Sequence, residues 1–254
     1  MNRRDLALAV PSTLALCLAI FAPLVTGCTA SDAADDMDDE QVAEADQALN
    51  PPPPPPPASC QDIRAGNPGA DDGNYTLYIG HDIHKPWMAF CRDMPGTPSE
   101  YLSLPHVGPN VNFSQYTAGG AVSGTNVRTS YTKVRIDPAT LLVDISDQTF
   151  SSSTGSLIHG GETVSSMPFG VGMSCDDTAS GVGNIDLGGT PFAVATDEFL
   201  VGGFDSSGTA TYSNGNRVVT LAGGGFCGWI CASPATFNPF NDTGDFQLQL
   251  VFAP

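Results

Sequence analysis

Cys60 and Cys91 enclose a segment whose local signals run helix, turn, strand, strand, and this arrangement limits the fold more than any other part of the chain. Ser59 can accept a hydrogen bond from the first turn of a helix, and Asp62 follows three residues later as its reciprocal partner. Gly66 supplies a stop, so a short helix is expected to end there. Asp72-Gly73 then marks a turn before Tyr75–Ile79, a run rich in strand formers. A second run, Trp87–Cys91, follows a polar loop and Pro86. Pairing these two strands carries Cys91 back towards the helix start, which predicts a Cys60–Cys91 disulfide.

Beyond residue 66 helical periodicity is nearly absent. Ser99 reads as a cap for one helical turn at Glu100–Leu104. Elsewhere, strand-like runs alternate with Gly, Ser, Asn, Asp and Pro clusters. Within Tyr131–Asp137, Val134 and Ile136 share one face while Lys133 and Arg135 take the other. Asp137-Pro138 turns the chain into Leu141–Ile145. Phe192–Val194, Phe199–Val201 and Val218–Leu221 are further strands. In the last one, Phe246, Leu248, Leu250 and Phe252 form a single face, with Gln247 and Gln249 opposite. The expected fold class is β-rich α+β: one disulfide-stapled domain of mostly antiparallel strands with a short N-terminal helix.

The ordered blocks resemble a known family. The cysteine, the acidic-Ile pair, Gly73-Asn-Tyr-Thr-Leu and the returning Cys91 are similar to the start of a GON domain. The same beats resemble the opening of fibrinogen-related domains, but no Gly-Gly-Trp block follows Cys91, as that family has. Pro98–Leu104, Asn112–Tyr116, Tyr131–Asp137, Cys175, Asn184–Phe192 and Gly225–Cys231 continue the GON pattern in order. The resemblance implies that Cys175 pairs with Cys227 or Cys231, with a short Cys227–Cys231 loop as the competing arrangement. GON domains close some secreted zinc metalloproteases of the ADAMTS type, so the resemblance also implies an association with zinc and with metalloendopeptidases.

The N-terminus reads as a targeting signal over residues 1–27. Arg3 and Arg4 precede an uncharged apolar stretch, and Leu24-Val-Thr-Gly-Cys28 resembles a bacterial lipobox, with Cys28 the residue that receives lipid. An uncleaved membrane-spanning anchor is the competing reading. Residues 28–58 read as a disordered tether: eight acidic residues and no Lys or Arg between Asp32 and Pro57, then a proline run expected to form a rod of roughly 20 Å. Residues 59–254 form the domain. They hold 18 acidic and seven basic residues, a formal charge of −11, which argues against a nucleic-acid partner. Five cysteines remain there; in an exported protein they are expected to be mostly oxidised, and the odd number leaves one thiol free or paired with another molecule.

No catalytic constellation stands out. His-Glu-x-x-His, the zinc-protease motif, does not occur. The four histidines are His81, His84, His106 and His159. His81 and His84 are the candidate metal pair, placed in a loop where plain surface residues are the commoner outcome. His159 with Glu162, and Asp71, Asp72 and Asn74 around Gly73, offer weaker patterns; the last reads better as a turn than as a calcium loop. Asp176-Asp177 point to opposite sides of a strand. Trp87 and Trp229 could stack on sugars, though core placement is commoner. The sequence therefore points to a lipid-anchored protein of the bacterial envelope, in the periplasm or on the cell surface. Its domain is expected to be a non-catalytic recognition module for a protein or glycan ligand, with no cofactor. Zinc at His81 and His84 is the alternative.

Overall fold

Ser59 caps the one described α-helix as its sequence position suggests. In the computed structural model, which describes residues 53–117, 126–232 and 247–254, helix α1 spans Cys60–Gly66. The Ser59 hydroxyl accepts the Asp62 N–H at 3.1 Å, and the Asp62 carboxylate accepts the Ser59 N–H at 3.0 Å. Gly66 is the last helical residue, and Asn67 closes the helix by donating its N–H to the Ile63 carbonyl.

Sixteen described strands follow. β1 (Gly73–Tyr78), β2 (Pro86–Arg92), β3 (Ser99–Ser103), β6 (Lys133–Ile136), β7 (Leu142–Asp144), β12 (Phe192–Val194) and β16 (Gln247–Phe252) form one antiparallel sheet, ordered β1-β2-β3-β6-β7-β16-β12. The helical turn expected after Ser99 is instead β3, whose backbone pairs with β2 on one side and β6 on the other, with Tyr101 and Leu102 both buried. Tertiary pairing overrides a weak local cap here. Trp87 on β2 meets Phe192 on β12 edge to face, with ring centroids 5.4 Å apart. The sheet therefore curls until its second strand touches its last.

The second sheet holds β4 (Phe113–Thr117), β5 (Val127–Tyr131), β8 (Ser151–Thr154), β11 (Gly172–Asp186), β13 (Phe199–Gly203), β14 (Ser206–Ser213) and β15 (Val218–Ala232). Its order is β13-β15-β11-β4-β5-β8, and β14 pairs with β15 as well. β13 and β14 lie end to end along the same side of β15. β9 (Leu157–His159) and β10 (Glu162–Val164) form a separate hairpin closed by Gly160-Gly161. The two sheets contribute to one buried cluster, which includes Leu77, Val134, Ile136, Leu248 and Leu250 from the first and Tyr116, Tyr131, Met173 and Leu221 from the second.

The strand readings hold where alternation was clear. Val134 and Ile136 are buried while Arg135 is exposed. Leu248 and Leu250 are buried on β16, and Phe246 lies outside the described residues. Among the described residues the domain is mostly antiparallel β with one short α-helix, and disulfides join Cys60 to Cys91 and Cys175 to Cys227. The last prolines already touch this unit: the Pro57 carbonyl accepts the Tyr78 N–H at 2.8 Å. Among the described residues, no helix is long and apolar enough to cross a membrane.

Candidate functional site

The second disulfide sits at an irregularity in the longest strand pair. Along β11 and β15, Ser174 faces Gly228 while Asp176 faces Gly225. One extra residue is therefore looped out of β15 at this point, a bulge of the kind that re-aims a side chain. Cys227 lies in that bulge with φ 66°, in the left-handed region that side chains other than glycine rarely adopt. The flanking glycines allow it. A Cβ on Gly228 would fall 1.9 Å from the Gly224 carbonyl oxygen. The result brings the Cα atoms of Cys175 and Cys227 within 3.8 Å.

Two further side chains converge on this bridge. Tyr116, on β4 beside β11, is fully buried and puts its hydroxyl 2.9 Å from Cys175 Sγ. The same hydroxyl shares a hydrogen bond with His159 Nδ1. His159 ends β9, half-buried, and its Nδ1 lies 3.5 Å from Cys175 Sγ. One ligand-type atom each from His159, Cys175 and Cys227 lies within 4.8 Å of the others. Desolvation pushes the Tyr116 phenol well above its ordinary range, so it stays a neutral hydroxyl. Desolvation also lowers the His159 pKa, favouring neutral imidazole. Cys231 is buried and belongs to neither disulfide.

The histidines singled out from spacing lie elsewhere. His81 and His84 are both exposed around the β1–β2 connection. His81 Nδ1 contacts the Pro56 carbonyl at 2.7 Å, and the His84 N–H is taken by the Asp82 carboxylate. His106 Nδ1 pairs with Asp186 at 3.0 Å. Buried Asn112 ties that pair's backbone together by donating to both the His106 and Asp186 carbonyls. Asp72 is a turn clasp: it accepts the Met94 N–H at 2.8 Å, and this bond holds its carboxyl below the usual range. Trp87 is core at 3% exposure. The side chains of Asp176, Asp177 and Trp229 lie outside the described residues.

His159 was visible in the sequence beside its Gly-Gly turn, and the cysteines were visible as a block. Tyr116 was not singled out for chemistry. Nothing in the spacing reveals that β4, β9, β11 and β15 bring these four together, because the meeting depends on sheet order and one bulge. A cleft of about 350 Å³ lined by Glu100, Arg135, Asp137 and Asp144 lies on the other sheet.

Fold and site together define a disulfide-stapled, two-sheet β domain with a histidine and a tyrosine packed against one of its bridges. A family model of the GON domain matches residues 57–126 and 118–237, and the chain belongs to the GON domain family. No curated protein and no solved structure matches the chain.

Proposed function

We propose that this chain is a lipid-anchored envelope protein whose GON domain is a non-catalytic recognition module, and that its ligand is an extended protein segment rather than a glycan. One observation carries this reading: the exposed edge formed by β13 and β14. Both strands pair only with β15 among the described residues, leaving a row of backbone donors and acceptors. Leu200, Val201 and Phe204 on this edge are 46%, 40% and 72% exposed. An apolar open edge is the surface to which a partner strand adds, with backbone bonds giving affinity and side-chain pockets giving selectivity. The formal charge of −11 on residues 59–254 favours encounter with basic partners.

Probing a peptide library and a glycan array with the intact protein tests this directly. Peptides should be retained, and Leu200→Asp with Phe204→Asp should weaken retention at least tenfold without changing circular dichroism. Retention of glycans alone, or no effect of the edge variants, would sink the reading. The lipobox sequence supports the anchor, which fails if a Cys28→Ser chain still partitions with membranes and incorporates as much labelled fatty acid as the parent.

The grouping of His159, Cys175 and Cys227 favours a second reading, a zinc-binding domain associated with metalloendopeptidases. It requires peptide cleavage, by this protein or a complex containing it, that a chelator abolishes.

A further inference from the structure

Cys175 and Cys227 differ in access. Cys175 is fully buried against Tyr116 and His159, whereas Cys227 is half-buried in its bulge. Thiol exchange is therefore directional. An incoming thiolate would attack the less buried Cys227 Sγ, form a mixed disulfide there and break the bridge. The electron pair of the broken bond goes to Cys175 Sγ, which faces the Tyr116 hydroxyl 2.9 Å away and His159 Nδ1 at 3.5 Å. A hydroxyl at that distance stabilises a thiolate as it forms. A second thiol of the reductant then attacks the mixed disulfide at the reductant's own sulfur. Cys227 is released reduced, and the reductant leaves as its disulfide.

The product of that exchange is a ligand set. Two thiolates and one imidazole are the donors that borderline-soft zinc prefers. Tetrahedral zinc with bonds of about 2.3 Å to sulfur and about 2.0 Å to nitrogen separates its ligand atoms by roughly 3.5–3.8 Å. Cys175 Sγ and His159 Nδ1 are already 3.5 Å apart, and all three ligand-type atoms lie within 4.8 Å of one another. Breaking the bridge frees the two sulfurs to separate to that spacing, with Cys227 Sγ and the imidazole starting within 4.8 Å of each other. We propose that the Cys175–Cys227 bridge is the oxidised, closed state of a zinc site, and that thiol reduction opens it to hold one zinc ion through His159, Cys175 and Cys227. Tyr116 is a positioning residue that holds the imidazole and the Cys175 sulfur on one side. Three protein ligands leave the fourth position to water. The inference rests on the zinc-binding reading and goes beyond it by making thiol state the gate; it is independent of the recognition edge.

The experiment uses the intact chain, purified in air and divided into two portions. One portion is reduced with a dithiol, and both are desalted without oxygen. One equivalent of zinc is added for native mass spectrometry, and one of cobalt(II) for absorption spectra. The reduced protein should take up one zinc and show a thiolate-to-cobalt charge-transfer band, while the oxidised protein shows neither. The reduced His159→Ala variant should bind at least tenfold more weakly, and the Cys175→Ser, Cys227→Ser pair should lose the band. The Cys60→Ser, Cys91→Ser pair and Cys231→Ser should keep it. Equal zinc uptake by oxidised and reduced protein overturns the gate while leaving zinc binding standing. No uptake in either state overturns both. Uptake that survives in the Cys175→Ser, Cys227→Ser pair places zinc elsewhere and overturns the site. If reduction abolishes near-ultraviolet circular dichroism, recovery on adding zinc supports the proposal and failure to recover overturns it.

Discussion

The carboxylate of Glu100 on β3 accepts the backbone N–H of Cys60 at 2.7 Å, so an acidic side chain holds the first turn of α1 beside the disulfide that staples it. Partial burial raises the Glu100 pKa, chiefly by desolvation. In the window from the ordinary value of 4.5 up to its raised folded value, the native state binds the extra proton, so stability falls as pH rises through that window. Glu100→Gln keeps an acceptor for Cys60 and removes the ionisation. Denaturation midpoints recorded across pH should show that this part of the decline has gone, whereas Glu100→Ala loses the bond and is less stable throughout.

Trp87 is 3% exposed, and its indole N–H has no hydrogen-bond partner among the described residues. An unmatched buried donor costs about 1–3 kcal/mol. Trp87→Phe removes that donor and keeps a ring against Phe192, so its stability should stay within about 1 kcal/mol of the parent. Trp87→Ala should lose about 3–5 kcal/mol. Urea titration separates the two outcomes, and a Phe variant as damaged as the Ala variant would refute the role given to the unmatched N–H.

His159 responds in the opposite sense to Glu100. Its folded pKa lies below 6.5 because desolvation disfavours the imidazolium. Between that folded value and 6.5 the unfolded chain binds more protons, so stability falls as pH drops through the window. His159→Gln should flatten this portion of the pH profile. An unchanged slope in thermal melts between neutral and mildly acidic pH would show that the imidazole does not cause it.

Gly228 and Gly66 make a matched pair of tests. A Cβ at Gly228 meets backbone at 1.9 Å, whereas one at Gly66 meets nothing within 4 Å. Gly228→Ala should destabilise by more than about 4 kcal/mol and leave Cys175 and Cys227 open to alkylation. Gly66→Ala, at the end of α1, should stabilise by about 0.4–1 kcal/mol. Mass spectrometry after alkylation and chemical denaturation read the two effects.

The segment from Ser59 to Cys91 was legible because its information is local: a cap with its partner, a turn, two runs of strand formers and two cysteines at the ends. The alternation in Lys133–Ile136 and Gln247–Leu250 was legible for the same reason. β3 was not, since Ser99 and Glu100 carry a helix-start signal that only the neighbouring strands β2 and β6 overrule. Val218–Leu221 announced only the start of β15, because the glycines from Gly223 to Gly228 look like loop until the bulge gives them a reason. The site required Tyr116, His159, Cys175 and Cys227 to meet from four strands, and no pairwise spacing in the chain encodes that meeting.

β16 lies between β7 and β12, so the last strand of the chain is an interior member of its sheet rather than a hem. The curl that brings Trp87 to Phe192 joins early and late segments across this keystone. A chain emerging N-terminus first thus has Cys60 and Cys91 in hand early, yet cannot complete the sheet until residue 252 has arrived. Such distant pairing makes folding slow. A Cys60–Cys91 disulfide formed at that stage would tie α1 to the first hairpin while the remainder of the polypeptide follows.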